Sequence, residues 1–304
     1  AMEAASCQSV VLIQGPPGTG KTSLAVRILR QWARTGGPGG GGILAASDSN
    51  IAVDNIVEGV GKLNVDVIRL GRPESARPEL LAHCADEIAC KLLGVTRLKE
   101  ADKRRAHDTV HECIKRARVC CTTAIGAGSG ILEKYGFQRV LIDEASQATE
   151  LATIVPMCHG AEQVVLLGDH CQLPPTVSSD AAAAEGLALS LFERLVQGGV
   201  RSHMLETQYR MNPAISSFPR RQFYAGRLED GICGERRPPL EGFQWPVADK
   251  PVCLISVRGR EIPSGTSYEN IEEAETVVRV CRGLLEKHDA ADVGVVTPYG
   301  AQVR

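Results

Sequence analysis

The stretch LIQGPPGTGKTS, Leu12 to Ser23, carries the spacing G-x-x-x-x-G-K-T through Gly15, Gly20, Lys21 and Thr22. Glycines at these points let successive backbone N–H groups wrap around phosphate oxygens. A helix opening at the end of the motif adds its positive dipole end to the same pocket. A lysine here reaches the β- and γ-phosphates of a nucleotide, and the following hydroxyl coordinates Mg²⁺. The expected cradle is therefore Gly15, Pro16, Pro17, Gly18, Thr19, Gly20, Lys21, Thr22 and Ser23, with Thr22 as a metal ligand.

Such a cradle needs a carboxylate on a neighbouring strand tip to hold the metal. RVLIDEASQATE, Arg139 to Glu150, supplies one: an apolar run that ends in Asp143-Glu144. Paired acids at the tip of a buried strand are costly unless a cation or a reaction uses them. Asp143 is read as the Mg²⁺ ligand and Glu144 as the group that orients or deprotonates an attacking water. No NKxD guanine-reading motif is present, and two acids at the tip suit an ATPase that turns over. Further along, VVLLGDHCQLPP delivers Gln172, an amide able to contact a γ-phosphate or the attacking water. Then comes ETQYRMNPAISSFPRRQFYAG, in which Tyr209 could stack on a base and Arg210 could reach a γ-phosphate from a second domain.

These residues require a scaffold of strand tips. SVVLIQG, ILAAS, VDVIRL, ARVCCTT, RVLIDE and VVLLGD read as buried parallel strands, with helices between them such as 21–33 and 190–196. That rhythm predicts an α/β fold, a doubly wound parallel sheet of the P-loop NTPase kind. TGGPGGGG, 35–42, reads as a flexible connection, and the mixed-charge stretch 91–118, with Lys103, Arg104, Arg105, Lys115, Arg116 and Arg118, as a solvated helix face. A first domain is expected over 1–205. A second, over 206–304, carries the strands PVCLISV and DVGVVTP and a helix over 270–286, and reads as cut short.

The composition is that of an ordinary globular protein: 304 residues, 43% hydrophobic, 23% charged, formal charge −2. A global basic field for nucleic acid is excluded, so any such binding must be local. Eleven cysteines without a CxxC pair fit a reducing compartment, cytoplasmic or nuclear, rather than a disulfide framework. No apolar run is long enough to span a membrane.

The order GPPGTGKT, SNIAVDNI, CCTTAIGAG, LIDEASQATE, LLGDHCQLPP, QYRMNPAISSFP, GFQWP, SGTSYENIEEAE, VVTPYGAQ resembles the superfamily 1 helicases, and within them the up-frameshift branch, whose namesake acts in nonsense-mediated mRNA decay. The resemblance implies two RecA-like domains with ATP between them, the second truncated here, and a single strand of nucleic acid across both. It implies an ATP hydrolase and helicase with ATP and Mg²⁺ as cofactors, acting on single-stranded RNA or DNA, RNA favoured. By matching motif, Glu144 is the catalytic base, Lys21 and Gln172 act on the phosphates, Tyr209 stacks on adenine and Arg210 contacts the γ-phosphate. The implied strand contacts are Ser49, Asn50, Thr122, Pro174, Thr297 and Pro298. The family's adenine-reading glutamine upstream of the cradle has no convincing counterpart, and SDSN stands where Pro-Ser-Asn is usual. The later motifs of the family, including an arginine finger, would lie past Arg304, so weak hydrolysis is expected of this chain by itself. A nucleotide-gated clamp on nucleic acid, with weak ATPase, is the alternative; a P-loop ATPase without a polymer is the third.

Overall fold

The computed structural model describes residues 1–36 and 42–303, so most of the glycine-rich stretch 35–42 lies outside the described residues. Backbone contacts divide the chain into Ala1–Gln208 and Tyr209–Arg304.

In the first unit the apolar runs become seven strands: β1 (Val10–Gln14), β2 (Ile43–Ser47), β3 (Val67–Arg69), β4 (Val119–Thr123), β5 (Arg139–Asp143), β6 (Gln163–Gly168) and β7 (Ser202–Met204). They form one sheet in the order β3-β4-β2-β5-β6-β1-β7, with every pairing parallel. Near-continuous hydrophobicity is what such strands need, because helices cover both faces. Alternation along each strand sorts side chains between the two layers. Val11, Ile13, Ala45, Leu141, Val165 and Leu167 share one core with Ile28, Leu29 and Trp32 of α2 (Lys21–Thr35) and Ile56 and Val57 of α3 (Asn50–Gly61). Leu12, Leu44, Val140, Ile142 and Leu166 share the other with Ala89 of α4 (Ala85–Leu93) and Val110 and Ile114 of α5 (Lys103–Arg116). Cys121 belongs to the first core and Cys120 to the second, as small apolar residues. The six basic residues from Lys103 to Arg118 are exposed, on or just beyond α5.

The second unit departs from expectation. Its helix Ile271–Leu285 forms, capped by the Asn270 side chain accepting from the Glu273 N–H. SGTSYEN makes an antiparallel hairpin, Ile262–Ser264 against Ser267–Glu269, turning at Gly265 with φ 63. PVCLISV and DVGVVTP are not strands, however, and neither enters a ladder among the described residues. A strand forms only where an adjoining strand takes up its backbone N–H and C=O groups. Here both segments run beside the 271–285 helix, with Val257, Val280, Leu284 and Val295 around a shared hollow. Leu254 is 93% exposed and Val296 96%, so the apolar pattern is present and the sheet that would bury it is not.

Candidate active site

Because the sheet is parallel, β1, β5 and β6 end on one edge, next to one another in the order β5-β6-β1. The loop leaving β1 is pinned at once: Gly15 N–H donates to the Gly168 carbonyl at the tip of β6, 3.0 Å away. Gly18 (φ 78) and Gly20 (φ 84) take left-handed conformations that only glycine adopts without strain. Gly15 is required for a different reason. A Cβ there would lie 2.0 Å from Cγ of Lys21, whose stem folds over the loop. Thr19 Oγ1 closes the turn by donating to the Pro16 carbonyl at 2.7 Å. Lys21 Nζ donates to the Gly15 carbonyl at 2.9 Å and stands 3.6 Å from Oε1 of Glu144.

Asp143 is the last residue of β5 and is 1% exposed. Its backbone is held across the β2–β5 register by Ser47 Oγ, which donates to its carbonyl at 3.0 Å. Burial, followed by the neighbouring Glu144 charge, pushes its carboxyl up to about 6. The Glu144 N–H, the Lys21 charge and a hydrogen bond with the Thr22 side chain oppose that rise. Glu144 itself has φ 53, in the left-handed region. Its carboxylate accepts from Gln147 Nε2 at 3.2 Å and faces Lys21. The two acids, adjacent in sequence, thus occupy different environments. A buried carboxylate beside the Thr22 hydroxyl is a hard oxygen donor set that fits Mg²⁺, with Lys21 placed for phosphate.

Gln172 is reached through a residue that sequence reasoning missed. Asp169, 1% exposed, accepts from Gln172 Nε2 at 2.6 Å on one oxygen. Its other oxygen accepts from Gln14 Nε2 at 3.1 Å and from the Cys171 N–H at 3.2 Å. Its own N–H donates to Ser146 Oγ at 2.8 Å. Asp169 therefore ties the end of β1, the turn after β5 and the amide of Gln172 into one assembly. The available signal was Gln14, a polar residue ending an apolar strand directly before the cradle.

The strand-contact candidates in this unit lie on the same edge with different fates. Ser49 is exposed, and its hydroxyl caps α3 by accepting from Ala52 N–H at 3.2 Å. Asn50 is exposed, and its Oδ1 accepts from Nη2 of the buried Arg69 at 3.0 Å. Pro174 is exposed beside Leu173. Thr122 is corrected: it is 1% exposed and packed under Gly126, out of reach of a polymer. Its half-buried neighbour Thr123 stands at the loop instead, its Oγ1 accepting from Gly126 N–H at 3.0 Å. In the second unit Tyr209 is 59% exposed and the Arg210 carbonyl accepts from Arg237 Nε at 3.4 Å. Thr297 Oγ1 accepts from the Tyr299 N–H at 3.2 Å, and Pro298 is exposed.

A family model described as an AAA domain matches residues 1–95 and 93–180, and a second AAA-domain model matches residues 187–304. The chain is 37% identical over 313 residues to a regulator of nonsense transcripts 1 homolog of Drosophila melanogaster, covering 96% of this chain and 26% of that protein. It is 37% identical over 313 residues to the ATP-dependent helicase NAM7 of Saccharomyces cerevisiae, covering 96% of this chain and 32% of that protein. The chain thus spans about a quarter to a third of the length of these relatives. Among solved structures, an arterivirus nonstructural protein 10 (helicase) aligns with TM-score 0.45 at 12% identity, covering 76% of this chain and 43% of that one.

Proposed function

The chain belongs to the AAA-domain family, among the superfamily 1 helicases of the up-frameshift branch, and from that premise we propose that it is the nucleotide-driven core of a translocase on single-stranded nucleic acid, RNA favoured over DNA. The observation that carries this is the convergence of Lys21, Thr22, Asp143 and Glu144 at the mouth of the cradle.

Bound Mg²⁺ and ATP supply a cation that neutralises charge on the phosphates and an anhydride to be cleaved. Thr22 and Asp143 would hold the cation, and the N–H groups of Gly18, Gly20, Lys21 and Thr22 with Lys21 Nζ would hold the phosphate oxygens. Glu144 accepts the proton of the attacking water on a carboxylate that Gln147 keeps oriented. Gln172, aimed by Asp169, senses the terminal phosphate. In this reading Tyr209 stacks on adenine and Arg210 contacts the γ-phosphate. Ser49, Asn50, Thr123 in place of Thr122, Pro174, Thr297 and Pro298 would touch the polymer through neutral donors and an apolar platform. That suits sequence-independent grip by a chain of formal charge −2. Eleven cysteines without a CxxC pair suit a reducing compartment, cytoplasmic or nuclear. No described helix is long and apolar enough to cross a membrane.

The test is ATP hydrolysis with and without single-stranded RNA and DNA, followed by strand displacement. Stimulation by polymer, larger with RNA, together with displacement is the expected result. Nucleotide-dependent affinity without displacement would make the protein a clamp, and hydrolysis indifferent to either polymer would remove nucleic acid from the reading.

A further inference from the structure

Two imidazoles meet on the exposed side of α5, far along the chain from every residue of the nucleotide site. His107 and His111 are one helical turn apart, with ring centroids 4.1 Å apart and planes at 65°. Their Nε2 atoms are 2.9 Å apart. On its other side His111 Nδ1 lies 2.6 Å from the Tyr135 hydroxyl, and that hydroxyl donates to the His111 carbonyl at 3.1 Å.

One proton assignment follows from taking the Tyr135 O–H as donor to the carbonyl. The tyrosine hydroxyl has one proton, and it is committed to the carbonyl. The Nδ1 contact must then be made by a proton on His111 Nδ1, with the tyrosine oxygen as acceptor. Neutral His111 therefore presents a lone pair at Nε2, and His107 donates its Nε2–H to it. Burial, the facing His107 and the nearby Lys134 and Lys115 all lower the proton affinity of His111, while Asp108 works against them. His107 Nδ1 stands 3.7 Å from the Asp108 carboxylate.

We propose that His107 and His111 form a two-histidine site for a divalent transition-metal ion that prefers right-angled coordination, such as Ni²⁺ or Cu²⁺. Imidazole is the preferred protein ligand for these ions. Two metal–nitrogen bonds of about 2.0–2.1 Å at a right angle hold their nitrogens about 2.9 Å apart, whereas a tetrahedral angle needs about 3.3–3.4 Å. The observed Nε2 separation matches the first. Binding replaces the hydrogen bond between the rings by two coordinate bonds. The proton on His107 Nε2 transfers through solvent to Nδ1, facing Asp108, so no net proton is released. The Tyr135 hydroxyl then accepts the remaining N–H of His111, and the Asp108 carboxylate, 3.7 Å from His107 Nδ1, faces His107 as a counter-charge. Such outer partners orient ligating histidines and raise their basicity. The other coordination positions open to water, because the His107 side chain is 54% exposed. The ion would staple one turn of α5 whose His111 is already tied to Tyr135.

The test is a calorimetric titration of the full chain with NiCl₂, in excess Mg²⁺ to occupy the nucleotide site, with thermal unfolding read in parallel. One site with a rise in Tm is expected, and either H107A or H111A should weaken it at least 100-fold. Tyr135→Phe keeps both imidazoles but removes an outer acceptor, and should weaken binding by about 10–100-fold. Circular dichroism of the variants checks that α5 is intact. Zn²⁺ should bind this pair less tightly than Ni²⁺. The proposal is overturned if the wild-type chain takes up no Ni²⁺. It is also overturned if stoichiometry and affinity persist in both histidine variants, which would place the ion elsewhere, such as at Asp169, His170 and Cys171, whose ligand atoms lie within 4.8 Å of one another.

Discussion

Glu144 donates its backbone N–H to the side chain of Asp143 at 3.0 Å, while its own carboxylate turns away on a left-handed residue toward Lys21. One peptide thus separates two acids by environment. Asp143 is sealed at the strand tip, where burial raises its proton affinity and a cation would relieve the cost. Glu144 is partly exposed and held by an ion pair and an amide, as suits a group that must meet water. Two carboxylates made unlike by their surroundings take unlike roles.

Replacing Glu144 by Gln keeps the shape and the φ preference of the site and removes only the charge that takes a proton. Nucleotide affinity is expected to change by a few-fold at most, while turnover falls by about 10²–10⁴. Equilibrium binding of a fluorescent nucleotide beside steady-state hydrolysis separates the two. Turnover near wild type would place the base elsewhere.

Asp143 makes stability depend on pH. Its folded value of about 6 lies above the ordinary 3.8, so between these values the folded chain binds more protons than the unfolded one. Stability therefore declines as pH rises from about 4 to about 6 and stays lower above that. At neutral pH the cost is about 3 kcal/mol at most, from a rise of roughly two units. Asp143→Asn should flatten this slope and stabilise the fold at pH 7, while abolishing Mg²⁺-dependent hydrolysis. Urea unfolding of both proteins from pH 4 to 8, with chelator present, checks it; parallel curves would show that this carboxyl is not the cause.

Asp169→Ala strands the buried amide of Gln14 and the half-buried amide of Gln172. Each unsatisfied group costs about 1–3 kcal/mol, so a clear drop in the urea midpoint is expected. Asp169→Asn keeps the volume and should be milder in stability, yet it offers a donor where two amides need acceptors. Its hydrolysis rate should fall with nucleotide affinity retained. A variant with full activity would show that Gln172 does not depend on this carboxylate.

Arg69 is 1% exposed and its Nε donates to Asp54 Oδ1 at 2.6 Å. Asp54 also accepts from the Arg77 N–H at 2.8 Å, and Arg69 reaches Asn50 and the Ser75 carbonyl. Asp54→Ala leaves a buried guanidinium without its counter-charge, and a loss of about 3–5 kcal/mol is expected. The double change Asp54→Leu with Arg69→Met should recover much of that stability and still weaken single-strand binding, because Asn50 loses its anchor. Fluorescence anisotropy with labelled RNA measures this; unchanged affinity in the folded double variant would remove Asn50 from the polymer path.

The phosphate cradle, the acid pair and six of the seven strands of the sheet were legible in the linear order of residues, because their chemistry is local. A glycine-lysine-threonine spacing acts on its own backbone, and a strand buried on both faces is apolar wherever it sits. The assembly around Asp169 was not legible. Its partners Gln14, Ser146 and Gln172 come from three tips that adjoin only through the order β5-β6-β1. Thr122 and Thr123 look interchangeable in sequence, and only the pleat buries one and turns the other toward the loop. The segments 251–257 and 292–298 have the composition of strands but no ladder, since pairing depends on a neighbour rather than on composition. Local sequence determined which groups could do chemistry. The parallel sheet, by carrying distant strand ends to one edge and burying some of their side chains, decided which of them act together.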